Sequence, residues 1–189
     1  GVAMVLAGAT PISFILCGIL IAIGVSYSVP PLRLKRFFFA PNVSLALLAS
    51  FSFLIGASFG PHFSSRVVFV GLLVLAYVMS VGFAKEFKDV EGDQAAGVKT
   101  LPMIVGVDLG AKITVVCLLL AYAFFVIPYF LIDLNVLYPI LIILLFAFTA
   151  WYSSRFLSSI KDRPSCLKFY DRTLHMSITL FLALIAGSI

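Results

Sequence analysis

Six long apolar runs, separated by short polar segments, constrain this chain more than any other feature. They cover residues 12–28, 43–60, 67–84, 113–131, 136–153 and 173–189. A helix needs about 20 mostly apolar residues to cross the hydrocarbon core of a bilayer, and each run is near that length. The runs are continuous rather than alternating, which favours helices over barrel strands. Hydrophobic residues make up 62% of the chain and charged residues 11%, a balance outside the range of soluble domains. The expected fold is therefore all-α, a polytopic transmembrane helical bundle with about six spans in a single domain over 1–189. Residues 2–9 read as the stub of an earlier helix, turned at Thr10-Pro11. A chain that begins at Gly1 inside an apolar run is expected to be truncated at its N-terminus.

Charge orients the bundle. Every basic residue except Arg66 falls in alternate loops, which place them on one side of the membrane. By the positive-inside rule that side is cytoplasmic, and the C-terminus is expected outside. Every acidic residue except Asp133 shares the same side. The net charge of +5 reads as a topology signal, not a nucleic-acid footprint. The runs hold no acidic or basic residue beyond their ends, which argues against a proton or ion pathway through the bilayer. No internal repeat of the transporter type is visible. Cys17, Cys117 and Cys166 are scattered, odd in number and without metal-ligand spacing, so they read as small hydrophobes.

The third loop opens with Lys85-Glu86-Phe87-Lys88-Asp89-Val90-Glu91-Gly92-Asp93, six charges in nine residues of an otherwise apolar chain. On a helix, Lys85, Asp89 and Asp93 form one row at four-residue spacing. Glu91 points away from that row and ranks below it. Paired carboxylates suit Mg²⁺, which keeps several waters and is commonly held by one or two carboxylates plus substrate phosphates. Lys85 and Lys88 would then offset the remaining phosphate charge. Gly92 and Gly97 are expected to loosen the segment and let backbone approach a ligand. Lys99 follows as a further cation. The alternative is a solvated loop laced with ion pairs.

The first loop reads Tyr27-Ser28-Val29-Pro30-Pro31-Leu32-Arg33-Leu34-Lys35-Arg36. The proline pair ends the preceding helix. An extended segment would put Arg33 and Lys35 on one side, with Tyr27 at the helix end in reach of a phosphate. A basic anchor at the lipid headgroups is an equally good reading of this loop alone. Asn42 is expected to cap the second span. His62 reads as a loop residue, and His175 as a residue without a visible partner.

Two stretches carry a resemblance to a known family. Tyr27-Ser-Val-Pro-Pro-Leu-Arg-Leu-Lys35 is followed about 50 residues later by Lys88-Asp-Val-Glu-Gly-Asp93-Gln-Ala-Ala-Gly-Val-Lys99-Thr-Leu-Pro102. Together they resemble the UbiA superfamily of membrane-embedded prenyltransferases, in the branch of chlorophyll synthases, homogentisate prenyltransferases and digeranylgeranylglyceryl phosphate synthases. The resemblance implies a nine-helix fold of which this chain carries helices four to nine. It implies a Mg²⁺-bound prenyl diphosphate donor and a lipophilic acceptor in a membrane-lipid setting. It implies metal-binding and catalytic roles for Asp89 and Asp93. Tyr27, Arg33 and Lys35 match the family's diphosphate-contacting loop, and Lys99 lies in the matched segment. The family's first motif, Asn-Asp-x-x-Asp-x-x-x-Asp, is not found in this sequence and is expected upstream; the fragment alone is expected to be inactive. Two rivals stand beside this reading. A CDP-alcohol phosphotransferase also clusters aspartates, but Ala96 stands where its motif needs Arg. A non-enzymatic membrane subunit would use the charged loops to bind a partner or anionic lipid.

Overall fold

A computed structural model describes residues 10–37, 39–60, 63–95, 99–160 and 162–187, without the side chains of Arg36, Glu91 and Ala95. Among the described residues every regular element is helical. The α-helices are α1 (Pro11–Ser28), α2 (Ala40–Ser58), α3 (Ser65–Ala95), α4 (Leu101–Val105), α5 (Val107–Phe124), α6 (Pro128–Leu131), α7 (Leu137–Ser158) and α8 (Arg163–Gly187), with a 3-10 turn at Leu34–Arg36. The 2–9 stub, Pro61-His62, the Ala96-Gly97-Val98 segment, Lys161 and the last two residues lie outside the described residues.

Five stretches are long and apolar enough to cross a membrane: Pro11–Ser28, Ala40–Ser58, Ser65–Val90, Val107–Leu131 and Leu137–Ser158. They match the first five apolar runs. The sixth run is helical, but its helix begins ten residues early, at Arg163, and its first turns carry Lys168, Asp171 and Arg172. Its described part does not meet the same standard of length and apolarity. Small hydroxyl residues share the interior with the apolar core, while many bulky aliphatics face outward. Ser13, Ser44, Ser50, Thr114, Thr149, Ser153 and Thr173 are buried, whereas Ile15, Ile21, Leu72, Ile143, Leu144 and Ile185 are exposed. Lipid is as apolar as leucine, so small hydroxyl residues face neighbouring helices and bulky aliphatics face outward.

The chain divides into two compact units, Gly1–Met79 and Ser80–Ile189, and α3 runs through the division. In the first unit α1 packs on α2. Thr10 caps α1 with a reciprocal capping box to Ser13. Ser13 Oγ also meets Ser58 Oγ at 2.7 Å, tying the start of α1 to the end of α2. Ser50 Oγ donates to the Gly71 carbonyl at 2.7 Å, which joins α2 to α3. Asn42 does not cap α2 as the sequence suggested. Phe39, in a left-handed conformation, takes that position, and Asn42 lies buried in the first turn. Pro41 presets the first helical turn, so the helix starts ahead of Asn42.

In the second unit α4 packs on α5, α5 on α7, and α7 on α8. Gly106 joins α4 to α5 with φ +85°, a left-handed value that a side chain would strain. The apolar run that ends at Leu131 is broken at Phe125–Ile127, where Pro128 starts the short α6. The loop before α7 latches onto the end of α8. Asn135 N–H donates to the Gly187 carbonyl at 2.9 Å, and Asn135 Nδ2 donates to the Ala186 carbonyl at 2.8 Å. Buried Tyr138 donates its hydroxyl to the Phe125 carbonyl at 2.6 Å. A Cβ on Gly187 would lie 2.8 Å from the Tyr138 Cβ, which has no freedom to retreat. Gly187→Ala is therefore expected to destabilise the unit by about 1–3 kcal/mol, the usual cost of overpacking, as read by detergent-solubilised unfolding.

Candidate functional site

The charged end of α3 is positioned by helix length. Its 31 residues rise about 46 Å at about 1.5 Å each. The hydrocarbon core is about 30 Å thick, so about 11 residues must stand clear of it. The charge cluster lies in the last 11 residues of α3, 85–95, a length equal to that excess. Gly92 does not loosen the segment: it lies inside α3, its side is open, and the helix continues through it. The four-residue spacing of Lys85, Asp89 and Asp93 is therefore realised as a row on one helical face. Lys85 is exposed, and Asp89 and Asp93 are half-buried. Burial pushes the Asp93 carboxyl above the ordinary carboxylate range. The Asp89 charge adds to that rise, and the Lys85 charge opposes it. A half-buried carboxyl whose ionisation is disfavoured by burial and a neighbouring carboxylate gains from a nearby cation.

Lys88 faces a different environment. Its ammonium lies 4.5 Å from the centre of the Tyr170 ring on α8. It also borders a pocket of about 310 Å³ lined by Phe87, Val90, Val107, Ile160, Arg163 and Cys166. Burial, then the Asp162 charge, push the Cys166 thiol up, so it stays neutral and donates to the Ile160 carbonyl at 3.4 Å. The base of the cluster is held by aromatic packing. Phe87 meets Phe156 edge to face at 5.8 Å, and Phe156 stacks on Phe169 at 3.9 Å. Gly110 permits this closeness, since a Cβ there would sit 3.3 Å from Pro102 Cα and 3.4 Å from the Phe87 ring.

Glu86 has a role that sequence reasoning missed. Its Oε2 accepts from the Leu101 N–H at 2.6 Å, fixing the start of α4 against α3. The two halves of the long motif, 85–93 and 99–102, are thereby tied across the undescribed segment between them. Nothing in the spacing marks Glu86 for this, because its partner is a backbone group 15 residues on. Lys99 is exposed at the entrance to α4. Thr100 is buried, and its hydroxyl makes no hydrogen bond among the described residues. Arg163 and Tyr170 also border Lys88, and only the tertiary structure brings them there.

Tyr27, Arg33 and Lys35 belong to the first unit. Tyr27 is half-buried in the last turn of α1. The extended run expected over 33–35 is not found. Arg33 is left-handed, at φ 40° and ψ 54°, and leads into the 3-10 turn Leu34–Arg36. The Arg33 N–H donates to the Val29 carbonyl at 3.1 Å, closing the chain into a turn after the two prolines. Arg33 and Lys35 consequently do not alternate as on a strand. A left-handed non-glycine residue costs about 1 kcal/mol or more and marks a position worth explaining. The Arg33 Nε is buried and has no hydrogen-bond partner among the described residues. His175, expected to lack a partner, has its Nδ1 at 2.6 Å from the Asp171 carbonyl.

Residues 1–185 match the model of the UbiA prenyltransferase family. The chain belongs to that family. It is 31% identical over 99 residues to a homogentisate phytyltransferase of Synechocystis, covering 47% of this chain and 32% of the relative. It is 39% identical over 77 residues to a digeranylgeranylglyceryl phosphate synthase of Methanoculleus marisnigri, covering 40% of this chain and 27% of the relative. It is 35% identical over 89 residues to a chloroplastic homogentisate solanesyltransferase of Arabidopsis thaliana, covering 43% and 23%. The matched parts thus span about a third or less of these relatives. A solved structure of a digeranylgeranylglyceryl phosphate synthase superposes with a TM-score of 0.82 at 23% identity, covering 95% of this chain and 62% of that one. That likeness establishes a shared fold, a polytopic helical membrane bundle.

A metal can be tested against this donor set. Among the described residues no three His, Cys, Asp or Glu side chains come together as a metal site. Two half-buried carboxylates with a lysine in the same row do fit Mg²⁺, provided that water and substrate phosphate supply the remaining oxygens.

Proposed function

We propose that this UbiA-family protein takes part in the Mg²⁺-dependent transfer of a prenyl group from its diphosphate to a lipophilic acceptor in the membrane. The observation that carries the proposal is the Lys85, Asp89, Asp93 row at the polar end of a membrane helix. Asp89 and Asp93 would hold the metal, whose chemistry is to neutralise the departing diphosphate. Lys85, in the same row, would add positive charge beside that group, and Lys88 and Lys99 are proposed as further cations for the diphosphate. The Arg33 Nε, buried and without a partner among the described residues, supports with Tyr27 and Lys35 a diphosphate-binding role for the first loop. Loss of diphosphate leaves an allylic cation or a cation-like transition state, which the acceptor attacks, and apolar surroundings exclude water as a competitor. The names of the relatives support both halves of the reaction, a prenyl donor and a membrane-soluble acceptor. The cationic loops are proposed to face the cytoplasm, with the C-terminus outside. The family match leaves the CDP-alcohol phosphotransferase alternative without support.

The test uses the full natural protein in lipid with a radiolabelled prenyl diphosphate. Label is expected to pass to the lipid-extractable acceptor, and chelation of divalent cations is expected to abolish transfer, with Mg²⁺ restoring it. Transfer that persists undiminished in chelator would refute the metal-dependent reading. Failure to use any prenyl diphosphate, with partner binding intact, would favour the non-enzymatic subunit.

A further inference from the structure

We infer that a recess between the end of α7 and the first turns of α8 seats the phosphate headgroup of an anionic membrane lipid. This site is separate from the Asp89–Asp93 row and does not depend on the transferase reading. The recess has a volume of about 160 Å³ and is lined by Tyr152, Arg155, Phe156, Ser159, Ser165 and Lys168. That is below the roughly 300 Å³ at which pockets for drug-sized ligands begin, so it suits a headgroup phosphate better than an isoprenoid chain.

Its charge is set by two elements. Arg155 closes the last turn of α7, and Lys168 lies in the second turn of α8; both are exposed. The nearby Asp162 carboxylate accepts from Ser165 Oγ at 2.7 Å and lies outside the lining of the recess. Ser159 Oγ donates to the Arg155 carbonyl at 2.9 Å. Both serine hydroxyls are thus committed within the protein, and the two cations are the charged groups in the lining that can meet an anion. Lys168 has no hydrogen bond or ion pair among the described residues.

The surroundings point to lipid rather than a free ion. The Arg155 guanidinium lies over the Trp151 ring at 4.4 Å, and that ring is 50% exposed. Tryptophan with arginine at the end of a spanning helix is the usual furniture of the membrane–water interface. Beneath the recess, Tyr152 stacks between Phe148 and Phe169 at 6.2 Å on each side, a rigid aromatic floor. Farther along α7, Leu144, Ile143 and Ile140 are exposed and apolar. A molecule with a phosphate and acyl chains gains from the cations and from this strip together. Inorganic phosphate gains only the first, in a setting where water and salt weaken it.

The experiment is native mass spectrometry of the full natural protein, taken from nanodiscs of equal phosphatidylglycerol and phosphatidylcholine. Wild type is expected to retain phosphatidylglycerol preferentially. Each cation removed should weaken that retention about five-fold, the worth of one basic residue at an anionic surface. Lys168→Gln, on an exposed residue, gives the single-step loss, and Arg155→Gln with Lys168→Gln gives the larger one. The pair Arg155→Lys and Lys168→Arg should keep the preference. Equal retention of the two lipids by wild type, or full retention of phosphatidylglycerol by Lys168→Gln, would overturn the inference. So would displacement of the lipid by inorganic phosphate at matched concentration, which would make this a free-phosphate site.

Discussion

Asp89→Asn and Asp93→Asn are each expected to lower prenyl-transfer kcat/KM by about 100-fold or more, the scale seen when one group stabilising a developing charge is removed. Asparagine keeps the shape of the side chain and can stay in α3, so the helix should persist. What changes is charge. Asp93 already bears the strain of its neighbour, since burial and then Asp89 raise its pKa. Removing either carboxylate relieves that repulsion but leaves a lone ligand for the cation. The double variant should be little worse than the worse single one, because the two act as a unit. Initial rates at saturating Mg²⁺, with helix content checked by circular dichroism, decide the matter. Wild-type rates in both single variants would sink the assignment.

Phe87→Ala is expected to destabilise the second unit by about 3–5 kcal/mol, the range for deleting a buried phenyl ring. Phe87 is 5% exposed in the middle of the charge cluster. Its ring meets Phe156 edge on and lies where Gly110 brings α5 close to α4. Through Phe156 it connects to Phe169, so its loss leaves a void among α3, α5, α7 and α8. The cluster above would lose its footing along with the helix. Chemical unfolding in detergent should show the loss, and Phe87→Leu, which keeps most of the volume, should recover part of it. A stability unchanged in Phe87→Ala would mean that the aromatic packing does not hold the cluster.

Residues seen in sequence and residues seen only in space divide along a clear line. Lys85, Asp89 and Asp93 share one face because four residues are close to one helical turn, a property of the local chain. The same reasoning failed at Arg33 and Lys35. Extended alternation was a sound local expectation, yet the chain closes into a 3-10 turn with Arg33 left-handed. Turn geometry after a proline pair depends on where the next helix must begin, and local pattern does not carry that. Lys88 sits one residue from Asp89, but it lies beneath Tyr170, a residue far along the chain. Glu86 reads as one more surface charge until the Leu101 N–H is found at 2.6 Å.

By itself, then, the sequence determined the helical membrane class, five of the six runs it marked as spans, the family, and the carboxylate row. All four follow from short-range periodicity and hydrophobic transfer, which act wherever the residues stand. Only the tertiary structure decided which charges are committed and which remain available. It spent Glu86 on a backbone amide, covered Lys88 with a ring, left the Arg33 Nε buried without a partner among the described residues, and brought Arg155 and Lys168 to one recess. The physical reason is that hydrogen bonding, ring contact and desolvation act over a few ångströms between groups that the chain places far apart in order.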